Sequence, residues 1–140
     1  MRKEFFRYLL LVLSACIISS LLTTSTVSAS ETAPTYSPDM LALQGRWIRT
    51  DAPYVIELSH AKGGTLQAAY FNPKPIHVGK METAEQDGMV QILIELQDVN
   101  YPGSTYVLSY DRVQDILEGI YFHPVSKQSY EVGFVRQIAQ

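Results

Sequence analysis

The chain has 140 residues, room for one domain and not two, and 46% hydrophobic with 18% charged residues is the balance of a globular protein rather than a disordered one. Its formal net charge is −3, and it holds a single cysteine. That excludes a fold stapled by disulfides, and an acidic chain without a basic stripe argues against nucleic acid and against anionic lipid headgroups as partners.

Arg2, Lys3 and Arg7 form a positive segment, residues 8–22 an apolar one, and Val27-Ser28-Ala29 ends a run of small residues. This is the layout of a secretory signal peptide, residues 1–29, which predicts export to the periplasm or the extracellular space. Cleavage after Ala29 leaves 111 residues carrying 8 basic and 13 acidic groups, against 11 and 14 in the whole chain, for a net charge of −5. A second reading starts from Leu13-Ser14-Ala15-Cys16, whose letters fit a lipobox. Lipidation at Cys16 would anchor the protein to the cell envelope, and that anchor is the membrane attachment expected. An uncleaved spanning helix is disfavoured because the apolar run is short and broken by serines.

Residues 30–37, rich in Ser, Thr and Pro, read as a flexible linker, and residues 38–140 as the folded domain. Ser37 is placed as a helix N-cap with Pro38 at the first helical position, which predicts one or two turns over Met40–Gln44 ended by Gly45. Beyond Gly45 the period changes to two. Strands are predicted at 46–50, 54–60, 66–71, 76–84, 89–97, 104–110, 116–122 and 129–136. Ala61-Lys62-Gly63-Gly64 and Gln86-Asp87-Gly88 carry hairpin-turn chemistry. Tyr101-Pro102-Gly103-Ser104 reads as a type II turn, and Asn72-Pro73-Lys74-Pro75 as a loop. Connections this short make consecutive strands antiparallel neighbours.

Ile56 and Leu58; Leu66, Ala68 and Tyr70; Val90, Ile92, Ile94 and Leu96; Tyr106, Leu108 and Tyr110; and Tyr130, Val132 and Phe134 place one apolar face on successive strands. Eight meandering strands with one apolar face avoid exposed edges by closing into an all-β, eight-stranded antiparallel up-and-down barrel with a short N-terminal helical turn.

Gly45-Arg46-Trp47 on the first strand, the strand count and Arg136 near the end of the last strand resemble the calycin superfamily, which includes the lipocalins and avidins. The resemblance implies that Trp47 plugs the closed end of the barrel, with Arg136 stacked across it. The chain lacks the lipocalin disulfide and has no room for the lipocalin C-terminal helix. Tyr70-Phe71-Asn72-Pro73 and the run from Asp98 to Ser104 are similar to an uncharacterised family of exported bacterial proteins, a likeness that implies no activity.

The residues yield no catalytic set. His60, His77 and His123 show no ligand spacing and have no companion cysteine, so neither a metal nor another cofactor is expected. A Gly-x-Ser-x-Gly elbow is absent, Gly63-Gly64 precedes a strand rather than a helix, and Glu57 and Glu95 fall on the outward face. The chain is therefore read as a non-enzyme. Nine tyrosines serve either as strand-forming core or as pocket lining. Strand phase places Tyr70, Tyr106 and Tyr121, with loop residues Asn72 and Asn100, at the barrel mouth, where a small apolar or aromatic ligand is expected. Leu93, Val107, Ile120 and Val135 fall on the outward face and suggest an apolar stripe for a homodimer. The alternative to ligand binding is an envelope interaction or inhibitor module with a solid barrel, akin to the calycin-like protease inhibitors that use an N-terminal arm.

Overall fold

The computed structural model describes residues 36–138. The signal segment 1–29, Cys16 and all of the linker but Tyr36 and Ser37 lie outside the described residues. Ser37 does cap the first element: its hydroxyl accepts the Met40 N–H at 3.2 Å, and Pro38 takes the position where a missing N–H costs nothing. The helix α1 runs Pro38–Ala42 and is capped by Leu43, so it ends earlier than Gly45.

Nine strands follow: β1 (Gly45–Arg49), β2 (Val55–His60), β3 (Leu66–Asn72), β4 (Lys74–Ile76), β5 (Val78–Gln86), β6 (Met89–Asp98), β7 (Tyr101–Asp111), β8 (Ile116–His123) and β9 (Gln128–Arg136). They form one antiparallel sheet in the order β4-β3-β2-β1-β9-β8-β7-β6-β5, curled into a nearly closed barrel. The first strand meets the last, with Trp47 opposite Arg136 and Ile48 opposite Val135. The all-β antiparallel barrel is thus the architecture that the period-2 pattern predicts.

The ninth strand comes from dividing the one expected at 76–84. β4 pairs with β3, while β5 pairs with β6, so one extended segment passes from one edge of the sheet to the other at His77. There the Gln97 N–H donates to the His77 carbonyl at 2.9 Å, and the His77 N–H donates to the Asp98 carboxylate at 3.0 Å. The covalent chain closes that corner. Further along, β3 and β5 diverge, leaving a seam of about 310 Å³ lined by Leu66, Ala68, Val78 and Met81.

Two turn expectations are corrected. Asn72-Pro73-Lys74-Pro75 is not a loop, since Phe71 lies opposite Pro75 and Asn72 opposite Lys74. β4 ends the hydrogen-bonded order, and an end strand tolerates a residue without an N–H. Tyr101-Pro102-Gly103-Ser104 is not a turn either. It lies inside β7, where Gln97 faces Pro102 and Leu96 faces Ser104, so Gly103 is the extra residue of a bulge and its φ of 80° serves that bulge.

Trp47, Ile56, Ile92, Ile94, Leu96, Tyr106, Leu108, Leu117 and Phe134 are fully buried on the inner face. Each such side chain contributes on the order of 1.5–3 kcal/mol by leaving water. Leu43 and Met40 bring α1 over one end of this core. At that end the Trp47 Nε1–H donates to the Leu43 carbonyl at 2.9 Å, and the Arg136 guanidinium lies 4.2 Å from the centre of the indole ring. Arg136 also donates to the Ala42 and Gln44 carbonyls, both at 2.7 Å, and through two nitrogens to Asp115 at 2.6 and 2.8 Å. Gly45 is required here on two counts. Its φ is +143°, and a Cβ would sit 2.7 Å from Arg136 Nη1.

Hydrogen bonds from Arg136, working against partial burial, hold the Asp115 carboxyl below its ordinary value. The folded state then binds this proton more weakly than the unfolded chain, so the pair stabilises the fold above about pH 4 and ceases to as pH falls further. Asp115→Asn should be less stable than the parent at pH 7, with the difference between their urea midpoints shrinking below pH 4. A gap that is constant with pH would remove the ion pair as its cause. Packing supplies a second test. A Cβ on Gly119 would meet the Val107 carbonyl oxygen at 2.0 Å, whereas one on Gly133 has 3.6 Å to Thr50. Gly119→Ala should cost roughly 1–3 kcal/mol, and Gly133→Ala under about 0.5 kcal/mol, in equilibrium unfolding.

Candidate functional site

Antiparallel alternation sends the 50–54, 99–100 and 124–127 connections and the end of β3 to the same rim, opposite α1. Inward-facing side chains near that rim line an open cleft of about 620 Å³. β1 supplies Arg49, and the turn after it supplies Asp51, Ala52 and Tyr54. Tyr70 comes from β3, Tyr101 and Tyr106 from β7, Tyr121 and His123 from β8, Gln128 and Tyr130 from β9, and Asn100 and Ser126 from turns.

Six phenol rings make a connected wall. Tyr106 and Tyr121 have ring centres 4.7 Å apart, Tyr121 stacks on Tyr130 at 6.2 Å, and Tyr70 meets Tyr106 at 5.6 Å, Tyr101 at 6.1 Å and Tyr54 at 6.3 Å. These spacings lie in the range where aromatic pairs attract beyond their buried area. Burial graduates from floor to rim: Tyr70 and Tyr106 are fully buried, and Tyr130 is 44% exposed.

The two deepest phenols share a hydrogen bond, with hydroxyls 3.0 Å apart. Burial raises both pKa values, that of Tyr70 further and that of Tyr106 to about 12. Nearer the rim, burial also raises Tyr121, and the Ser104 hydroxyl partly offsets it. The Tyr101 hydroxyl accepts from the Asn72 side chain.

Among the described residues, charge on the cleft lining is confined to one pair. Arg49 donates to the two Asp51 carboxylate oxygens at 2.6 and 3.0 Å, and its guanidinium lies 5.3 Å from the Tyr54 ring centre. His123 is tied into the turn that follows it. Its Nδ1 accepts the Ser126 N–H at 3.2 Å and lies 2.9 Å from the Ser126 hydroxyl, all within one four-residue turn.

Of the residues placed at the mouth from strand phase, the structure brings Tyr70, Asn100, Tyr106 and Tyr121 together on the cleft wall. Asn72 stands behind it, through its bond to Tyr101. Arg49, Asp51, Tyr54, Tyr101, His123, Gln128 and Tyr130 were missed. The available signal was that every one of them lies at a strand end or turn on the same side of the meander. Glu57 and Glu95 face outward, Glu57 paired with Arg46 at 2.6 Å. Leu93, Val107 and Ile120 stand in direct register across β6, β7 and β8. Val135 is not in that row: Ile120 faces Glu131, and Val135 lies between Ile48 and Ile116.

The fold and site together define a small, nearly closed antiparallel barrel with a tyrosine-walled cleft at one end and a Trp47–Arg136 stack at the other. Comparison with protein-family models, with curated proteins and with solved structures finds no match.

Raised phenol pKa values mean that the folded state holds these protons more tightly than the unfolded chain, whose tyrosines ionise near 10. Their contribution is complete below pH 10 and is lost as pH rises towards 12. Alkaline unfolding should therefore begin above pH 10 and coincide with the appearance of phenolate absorbance. Tyr70→Phe, which strands the Tyr106 hydroxyl, should cost about 1–3 kcal/mol at pH 7, and adding Tyr106→Phe should cost less than a second such step.

Proposed function

We propose that the protein is an exported, calycin-like binding protein, of the uncharacterised bacterial family that its strings at 70–73 and 98–104 resemble, and that it holds a small ligand in the cleft at the barrel mouth. The observation that carries this reading is the wall itself. Six tyrosines from four strands and one turn converge on one open cavity of about 620 Å³ at a single end of the barrel. That volume falls within the usual range of ligand sites, about 300–1,000 Å³. Tyrosines recruited only to fill a core would not be graded from buried to half-exposed around an open space.

The calycin comparison is supported by the closed end, where Arg136 crosses the indole of Trp47 and Gly45 leaves room for it. A binding rather than catalytic role is supported by the occupied state of the mouth's ionisable groups: Arg49 with Asp51, His123 with its own turn. The aromatic wall favours a ligand with a flat face over an aliphatic chain.

Native mass spectrometry of the protein isolated from its own envelope tests this reading. A retained small-molecule adduct is expected, lost or reduced about tenfold in occupancy in Tyr121→Ala if that variant keeps the parent's circular dichroism. A mass without adduct, together with tyrosine fluorescence unmoved by a library of small aromatic and polar organic compounds, would sink it.

A further inference from the structure

The chemistry of the cleft narrows its ligand, on the reading of the mouth as a binding site. Among the described residues, no lining side chain apart from Ala52 is aliphatic, although aliphatic residues are abundant elsewhere in the barrel. A lipid or hydrocarbon seated there would cover amide, phenol and guanidinium groups without offering them partners, at a cost of a few kcal/mol for each group left unpaired. A purely apolar ligand is therefore a poor fit.

An ionic ligand is a poor fit as well. Arg49 and Asp51 cancel one another through two hydrogen bonds, so neither is free as a counter-ion. The Nδ1 of His123 is already engaged by the N–H and hydroxyl of Ser126 in its own turn. Drawing Arg49, whose side chain is 10% exposed, away from Asp51 to bind an ion would give up both of its hydrogen bonds.

What suits such a site is a neutral molecule with weakly polar C–H faces and a perimeter of hydroxyls. Tyr121 is held between Tyr106 and Tyr130, and the outer ring of this series, Tyr130, is 44% exposed and offers a face on which axial C–H groups can rest. Lining the same cleft, the Arg49–Asp51 pair presents donors and acceptors side by side, and Asn100 and Gln128 each present both. We infer that the cleft binds a neutral saccharide, with a pyranose ring laid on the exposed Tyr130 ring and its hydroxyls directed to the Arg49–Asp51 pair. An open cleft of about 620 Å³ has room for more than one sugar ring, so short oligosaccharides should bind more tightly than monosaccharides.

The test uses full-length protein and nuclear magnetic resonance shift mapping. The probes are a panel of neutral disaccharides built from glucose, galactose, mannose and N-acetylglucosamine, and separately the uncharged aromatic phenylnaphthylamine. At least one disaccharide should bind and shift the amides around Tyr121, Gln128 and Tyr130. Tyr130→Ala should weaken it about tenfold or more, Tyr130→Phe should retain it, and Val107→Ala on the outer face should leave it unchanged. If phenylnaphthylamine shifts the same amides and no disaccharide does, the cleft is a ligand site but not for saccharides, and this inference fails alone. If neither probe moves them, the reading of the mouth as a binding site fails with it.

Discussion

A single guanidinium holds the closed end together. Arg136, at the end of β9, stacks on the indole of β1, takes both carboxylate oxygens of Asp115 from the turn before β8 and donates to the last carbonyls of α1. A lysine could not replace it, because only a planar fork reaches a ring face, a carboxylate and two carbonyls at once. The cost of placing a charge there is offset by pairing and by partial access to water. Gly45 follows from the same contact, since any side chain at that position would collide with the guanidinium.

With one end filled by Trp47, Leu43 and the clamp, the opposite end is where the barrel can differ from a solid core. Tyrosine suits both demands placed on that end. Its ring packs in the interior and favours extended backbone, while its hydroxyl tolerates water at the rim. The deep pair, Tyr70 and Tyr106, shares one hydrogen bond, which ties two strands together at the floor of the cleft.

The barrel is not hydrogen-bonded all the way round. Residues 74–86 serve both edges in turn, first beside β3 and then beside β6, and a bulge at Gly79 accompanies the change of partner. A free edge normally invites a further strand. Here exposed Lys80, Glu82 and Glu85 decorate the edge strand β5, and the Gln97 side chain covers Gly79 at the bulge. Charge and irregularity on an edge oppose pairing with a second chain.

Local pattern was enough to determine most of the scaffold. Alternation named the buried face of nearly every strand, Ser37-Pro38 marked the helix start, and short connections made the strands antiparallel, because each of these depends on neighbours within a few residues. Where two local signals compete, the sequence misleads. Pro-Gly at 102–103 has the letters of a turn and the geometry of a bulge, and Pro75 has the letters of a loop but lies on an end strand, where its missing N–H has no ladder to break. The cleft was legible only in part for a different reason. Tyr70, Tyr106 and Tyr121 announce themselves by strand phase, but Arg49, Asp51, Tyr54, Gln128 and Tyr130 are separated by up to 81 residues and meet only because β1 closes against β9. Which face of a strand is buried is a matter of period two along the chain; which strand ends share a rim is settled by closure, and that is a property of the whole sheet.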